Sequence, residues 1–444
     1  MSEAIGDQNS EAFENRGRLF LIGVLCLFTA AFSFVLRAAV ASDIQADYIT
    51  PFDPINDGQL IGAALGVAFL GFALSLFITS PLLDIIGMGR MLICAAVFFI
   101  VGPLLVISAD VLADGQGVYR LIWLGMLING MGWGFTESTI NPMTTALYPE
   151  DKTHRMNVIH AWWPAGIIAG GLLGVAIGQF DIDWRVAMGL VMVPPLVIIP
   201  LILGQTFPKT ERAAMGVGFG DMITEIFRRP IFFIWLGAMV LTSATELAPG
   251  QWVDIALSEV VGMRGILLLV YVAAIMFVMR HFAGPIAHRI SDIGLLWVSC
   301  LMAAVGLYLL SIASSPITAL LAATLWGAGV CFLWPTMISG VAERFPKGGA
   351  WTIGLIGSAG AGTIYFFLPR LGAIYDQAKL EAAGSADAFA ALEDGPALDT
   401  VLAQAAQVSF QTVALMPLVL LLIFAGLWLL DRTRTKQPVS APAE

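Results

Sequence analysis

Charge is what this chain of 444 residues is short of: Lys, Arg, Asp and Glu together make up 12% of it, against about a quarter in an ordinary soluble domain. That scarcity excludes one or several water-soluble globular domains. Cysteine is scarce too, and all four, Cys26, Cys94, Cys300 and Cys331, fall inside apolar runs, so there is no disulfide framework to read. The four histidines are scattered, none spaced with Cys or carboxylates as metal ligands, and neither a metal site nor a cofactor is expected. No Gly-x4-Gly-Lys-Ser/Thr loop occurs, which argues against ATP-driven transport within this chain. No nucleophile–base pair is visible, so no enzyme activity is expected. Residues 1–18 are polar with four acids, and no cleavable signal peptide is apparent.

What is abundant is apolar length. The chain is 58% hydrophobic with mean hydropathy +0.85, and the apolar runs recur from end to end, which predicts an all-α polytopic membrane protein. A ruler of about 20 residues per span gives twelve candidates, near 19–41, 59–83, 91–108, 118–146, 158–178, 185–203, 231–250, 264–286, 295–312, 318–340, 351–373 and 408–430. The formal charge is 22 − 32 = −10, so no nucleic-acid partner is expected. Where the charges sit is more informative. Segments 1–18, 84–90, 147–157, 204–230, 287–294, 341–350 and 431–444 hold 15 of the 22 Lys and Arg residues, whereas 41–58, 109–117, 179–184 and 374–407 hold Lys379 alone beside 14 acids. Basic loops stay on the cytoplasmic side, which predicts both termini inside and a bacterial inner membrane as the setting.

The longest basic connection, 204–230, divides the spans six and six and is expected to link an N-terminal half, 19–203, to a C-terminal half, 231–430. The tails 1–18 and 431–444 are expected in the cytoplasm. The acidic stretch 374–407, rich in Ala, Leu and Glu, predicts one or two short helices outside the membrane. The halves also look duplicated. Ser80-Pro81-Leu82-Leu83-Asp84 matches Gly284-Pro285-Ile286-Ala287-His288, and Gly130, Gly132, Phe135, Tyr148 and Pro149 fall on Gly327, Gly329, Phe332, Phe345 and Pro346 at a constant offset of 197. Parallel halves related about the membrane normal are a known transporter architecture.

The stretch Ser80 to Arg90, with Pro81, Asp84, Gly87 and Arg90, resembles the loop signature of the major facilitator superfamily, with Ile85 in place of the usual basic neighbour. The resemblance implies twelve transmembrane helices in two six-helix halves, and a gating role for Asp84 with Arg90 and, in the second half, Arg289. Asp84 is expected near the N-terminus of a helix from the other half, such as the eleventh, where a carboxylate meets the positive end of the dipole; a solvated turn is the plainer reading. A second block, Gly132-Trp133-Gly134-Phe135-Thr136-Glu137-Ser138-Thr139-Ile140-Asn141-Pro142 with Leu147-Tyr148-Pro149-Glu150, looks like the fourth-span region of the fucose–proton symporter branch. There the resemblance implies a part in proton coupling for Glu137. That branch carries an aspartate in its first span, whereas no acid stands here between Arg18 and Asp43.

An acid inside a span costs about 2.5 kcal/mol or more to insert, so Glu137 marks function unless it is permanently ion-paired to hold helices together. A buried carboxyl keeps its proton more readily than an exposed one, as a proton carrier near neutral pH must. Asn141 and Trp133 lie one turn to either side and share its face. Arg37, in the first span, has three readings: a partner for Glu137 or Glu246, an anion-binding group, or a side chain snorkelling to the interface. His160 and Trp163 in the fifth span suit sugar recognition, with rings for a sugar's apolar face and a polar group for its hydroxyls, although tryptophans near a span end also serve as anchors. Gly166, Gly170, Gly174 and Gly178 predict a packing stripe. Glu246, Pro249-Gly250, Gln251 and Trp252 predict a broken seventh helix lining a site, with Glu246 a second proton-coupling or substrate-binding acid, against an ordinary outer loop. Tyr271 and Trp334 are further substrate-binding candidates, Trp334 because it occupies the repeat position of Glu137; Arg280 and His281 are expected to pack at the interface.

These features together predict a secondary transporter that takes up a monosaccharide or similar polyhydroxylated solute with a proton. Its partners would be that small solute, protons and the lipid bilayer, and the chain is expected to act as a monomer. An organic-anion or sugar-acid transporter using Arg37 is the alternative, and a non-transporting membrane receptor a remote one.

Overall fold

A bilayer core offers backbone groups no water, so apolar runs of spanning length satisfy their own hydrogen bonds as helices. The computed structural model describes residues 14–51, 53, 57–261, 265–393 and 395–435, and of these the side chains of 42, 57–59, 251–261, 265–266, 390 and 431–435 lie outside the description. Twelve long helices run through the described residues, with no strand among them: α1 (Arg16–Ala39), α2 (Asp57–Thr79), α3 (Met88–Ile107), α4 (Gln116–Leu147), α5 (Lys152–Gln179), α6 (Trp184–Ile202), α7 (Ile231–Val261), α8 (Gly265–Arg280), α9 (Asp292–Ser311), α10 (Pro316–Arg344), α11 (Gly349–Ala383) and α12 (Pro396–Thr435). Ten helices are long and apolar enough to cross a membrane, and Leu267–Arg280 with Ala283–Ile290, bent by 64°, makes an eleventh. The bend follows from Pro285, which has no N–H for the carbonyl of His281. The twelfth is α4, long enough to cross but carrying buried Asn129, Glu137 and Asn141.

Two expectations need correction. The seventh helix is not broken at Pro249-Gly250; α7 continues to Val261. The acidic stretch 374–407 keeps one short helix but is narrower than expected. α11 runs out to Ala383 and α12 begins at Pro396, which leaves the single short helix Ala386–Ala390 between them.

The duplicated glycines make duplicated contacts. A Cβ on Gly130 of α4 would lie 1.9 Å from the Ala68 carbonyl oxygen of α2, and one on Gly132 would lie 3.0 Å from Phe99 of α3. Their counterparts on α10 do the same in the second half: Gly327 faces Val272 of α8 at 3.0 Å and Gly329 faces Ala303 of α9 at 2.3 Å. Helix four thus packs on helices two and three, and helix ten on eight and nine, through the same small residues. The stripe on α5 packs on α1, with Gly166, Gly170 and Gly174 against Phe28, Val35 and Ala39, while Gly178 faces open space.

Ion pairs distinguish the two ends of the bundle. At the basic end Arg16 meets Glu150 at 3.7 Å, Lys152 meets Glu211 at 2.7 Å, and Arg344 meets Asp292 at 2.6 Å. The connection between α6 and α7 lies at this end and forms two short helices, Glu211–Ala214 and Phe219–Arg228. At the acidic end Arg185 is shared among Asp47, Asp110 and Asp183 at 3.3 to 3.5 Å.

Candidate functional site

Three prolines shape the centre of the bundle. A proline has no N–H, so the carbonyl four residues before it loses its helical donor. Pro164 frees the carbonyl of His160 in α5, Pro335 that of Cys331 in α10, and Pro249 that of Thr245 in α7. Each is taken by a side chain from another helix. Arg280, at the end of α8, donates from Nη1 to the His160 oxygen at 2.6 Å and from Nε to the Cys331 oxygen at 2.6 Å. Trp326 of α10 donates from Nε1 to the Thr245 oxygen at 3.3 Å. With its carbonyl satisfied, α7 passes through Pro249 unbroken.

Arg280 is 2% exposed, and a charge so buried requires a counter-charge. Glu246 of α7 supplies it, its Oε1 accepting from Arg280 Nη2 at 3.0 Å and its Oε2 accepting from the Trp334 backbone N–H at 3.2 Å. That N–H is available because helix α10 is interrupted just before Leu333. Across the same cavity stands Glu137 of α4. Asn141, one turn on, donates from Nδ2 to Glu137 Oε2 at 2.5 Å, and its Oδ1 lies 2.9 Å from His160 Nε2. Because that oxygen can only accept, Nε2 is the protonated ring nitrogen. His160 Nε2 is also 4.0 Å from Glu137 Oε2. His160 therefore serves both clusters, its ring turned to the Glu137 side and its carbonyl to Arg280.

Glu137, His160, Trp163, Glu246, Arg280 and Trp334 line one cavity of about 30 Å³. A second, of about 60 Å³, adjoins it through Trp163 and Glu246 and is walled by Phe34, Phe69, Trp133 and Trp326. Rings and carboxylates from both halves thus enclose a space far below the roughly 300–1,000 Å³ of a ligand pocket. A solute larger than water enters only when the helices part.

Arg37 is also 2% exposed, which removes the snorkelling reading. Neither glutamate pairs with it. Its Nη1 donates to the Leu65 carbonyl of α2 at 2.7 Å, and its guanidinium lies 4.8 Å from the Trp133 ring, with Phe34 and Phe69 at 5.7 and 6.0 Å. Trp133 is itself fixed, donating to Ser33 Oγ at 2.9 Å. Trp133 thus forms part of the aromatic wall, and Arg37 lies behind it.

The remaining candidates lie elsewhere. Tyr271 is half-buried and its hydroxyl meets Thr324 Oγ1 at 2.6 Å; it lines neither cavity. The side chains of Gln251 and Trp252 lie outside the described residues. Asp84 does not cap α11. It accepts from Thr210 Oγ1 at 2.8 Å and from Arg212 Nε at 3.0 Å, and it forms a closer ion pair with Arg212 Nη2. Arg90 is exposed and donates to Ile86 in its own turn at 3.4 Å, and Arg289 is exposed in the last turn before Ser291. The residue that sequence reasoning misplaced is Arg280, assigned there to the interface. Its signal was present: an arginine within the eighth apolar run, with freed carbonyls implied by Pro164 and Pro335.

The family model of the Major Facilitator Superfamily matches residues 18–372. The glucose transporter GlcP of Staphylococcus epidermidis is 25% identical over 186 residues, which are 42% of this chain and 39% of that protein, so the match spans about two fifths of the curated relative. Among solved structures, the proton:xylose symporter XylE bound to 6-bromo-6-deoxy-D-glucose has a TM-score of 0.72 at 15% identity, covering 94% of this chain and 96% of that one. FucP in the outward conformation has a TM-score of 0.68 at 16% identity, covering 92% and 98%. Both come from E. coli, and at these identities the likeness is one of fold. A family model that covers most of the chain and a twelve-helix layout shared with solved transporters lead to one conclusion: the chain belongs to the major facilitator superfamily.

Proposed function

We propose that the chain is a secondary active transporter that takes up a monosaccharide or similar polyhydroxylated solute together with a proton, its two halves exposing the central site to either side in turn. The observation that carries this reading is the meeting of a buried, hydrogen-bonded Glu137 and a Glu246–Arg280 pair on one cavity faced by Trp163 and Trp334. Indole faces suit the apolar side of a sugar ring, and carboxylate, imidazole and guanidinium groups suit its hydroxyls. The names of the similar proteins point the same way, since GlcP is a glucose transporter and XylE a proton:xylose symporter.

Charge bookkeeping gives the proton its role. With Glu137 ionised the cavity holds two carboxylates and one guanidinium, a net −1; with Glu137 protonated it is neutral. Reorienting a buried net charge between the faces is costly, so the proton enters with the solute and leaves with it. Asn141 and His160 hold the carboxyl in place, and Glu246, paired with Arg280, offers carboxylate oxygens to solute hydroxyls. An anionic solute fits less well, because Arg280 is already neutralised by Glu246 and Arg37 lies behind the rings of Phe34, Phe69 and Trp133. The basic end faces the cytoplasm of a bacterial inner membrane by the charge rule, and a monomer suffices, since one chain supplies the whole cavity.

Counterflow in proteoliposomes against a panel of sugars, sugar acids and amino acids tests this. Sugars exchange, and Glu137→Gln abolishes uphill uptake while sparing exchange. Uptake indifferent to a proton gradient, or a Gln variant that still concentrates solute, overturns the proton role; exchange confined to sugar acids overturns the solute class.

A further inference from the structure

We propose that Arg280 is the clasp of the transport cycle: it ties α5 of the first half to α8 and α10 of the second through carbonyls that Pro164 and Pro335 leave without helical donors, and each exchange of the open face requires its contact with His160 to break. This rests on the transport reading above. Of the five guanidinium N–H groups, one on Nε, one on Nη1 and one on Nη2 go to Cys331, His160 and Glu246. The contacts to Cys331 and Glu246 lie within the second half and travel with Arg280. The contact to His160 is the one that crosses between halves. It joins a full charge to a carbonyl with no helical partner, which makes it stronger than a bond between neutral groups.

The same residue reports on the proton site. The His160 ring is hydrogen-bonded to Asn141 and through it to Glu137, so a shift of α5 that lifts its carbonyl from Arg280 also moves its imidazole relative to the carboxyl. The two N–H groups of Arg280 that these bonds leave over belong to a side chain that lines the cavity. A solute hydroxyl that accepts from them draws the guanidinium into the cavity and away from the His160 carbonyl. Solute arrival and release of the first half thus become one event, with Arg280 as the positioning residue.

Substituting the prolines tests the clasp without touching the arginine. Pro164→Ala supplies an N–H that competes for the His160 carbonyl, and Pro335→Ala does the same at Cys331. Spin labels at the exposed positions Phe180 and Ile317, one on each half at the acidic end, report the separation of the halves in proteoliposomes with no solute present. Arg280→Lys and Pro164→Ala are each expected to change the ratio of close to separated populations by about tenfold, the worth of one charged hydrogen bond. The double variant should go no further than the larger single effect, because both remove the same contact. Pro335→Ala, which touches only the contact that travels with Arg280, should leave the populations as in wild type; independent, multiplicative effects, or a distribution identical to wild type in Pro164→Ala, overturn the clasp. If Arg280→Lys fails to fold, the two proline variants decide the matter alone. Since the distances are read without solute, a panel in which nothing is transported defeats the transport reading and leaves this measurement standing.

Discussion

Arg37 shows what a buried charge requires in order to stay. Its position inside an apolar run was legible as an anomaly, but its partners were not, because a backbone carbonyl on α2 and three ring faces leave no trace in a single sequence. The planar guanidinium lies against Trp133 while Nη1 reaches Leu65, a combination a flexible ammonium reproduces poorly. Arg37→Lys is therefore expected to destabilise the fold by about 1–3 kcal/mol, visible as a lower midpoint in a tryptophan-fluorescence melt in detergent. An unchanged midpoint would mean that the rings and the carbonyl contribute nothing. Glu137 and Arg280 make a contrasting pair. The acid stands out because it lies deep within a span and matches a family block; the arginine lies near a span end, where basic residues are common, and reads from the sequence as packing.

Helices were the most legible feature, and their interruptions the least. Each apolar run expected to span lies within one of the twelve helices to within a few residues, except the eighth, which is shared between α8 and Ala283–Ile290, because length and hydropathy are local properties. Pro249-Gly250 was expected to break α7, yet whether a proline breaks a helix depends on a donor from elsewhere, here the Trp326 indole. The repeat of glycines at offset 197 was visible in the sequence, and the structure adds its cause: each places helix four or ten against its own second or third helix. Gly130→Ala sets a methyl group against the Ala68 carbonyl with no side chain free to yield. It should cost about 1–3 kcal/mol, read as a lower thermal midpoint, with Gly178→Ala as the neutral comparison because that position faces open space.

Across the molecule as a whole, charge segregation was legible and state was not. The basic and acidic loops separate in the structure into two ends with their own ion-pair networks, but which passage is shut is set by contacts between distant helices. At the basic end Thr153 donates to Ser339 at 3.2 Å and Asn157 to Thr336 at 3.1 Å, joining α5 to α10. The loop after α2 holds the connection between the halves instead of capping α11, through Asp84 with Thr210 and Arg212. Asp84→Asn removes the charge that fixes this connection. Trypsin should then cut at Lys209 and Arg212 several times faster in inside-out vesicles; an unchanged rate would separate the linker's order from this ion pair.

One consequence of the polar character of α4 concerns how the protein is made. A helix that buries Asn129, Thr136, Glu137, Ser138, Asn141 and Thr144 enters lipid poorly on its own, since carboxyl and amide groups oppose partitioning from the translocon. The partners of its first half come from the chain already synthesised: Ser33 for Asn129 and Trp133, and Ala68 for Gly130. The polar partner of its second half outside α4, His160, follows later. The order of synthesis thus lets α1 and α2 receive α4 at the membrane, with Glu137 held by Asn141 alone until α5 arrives.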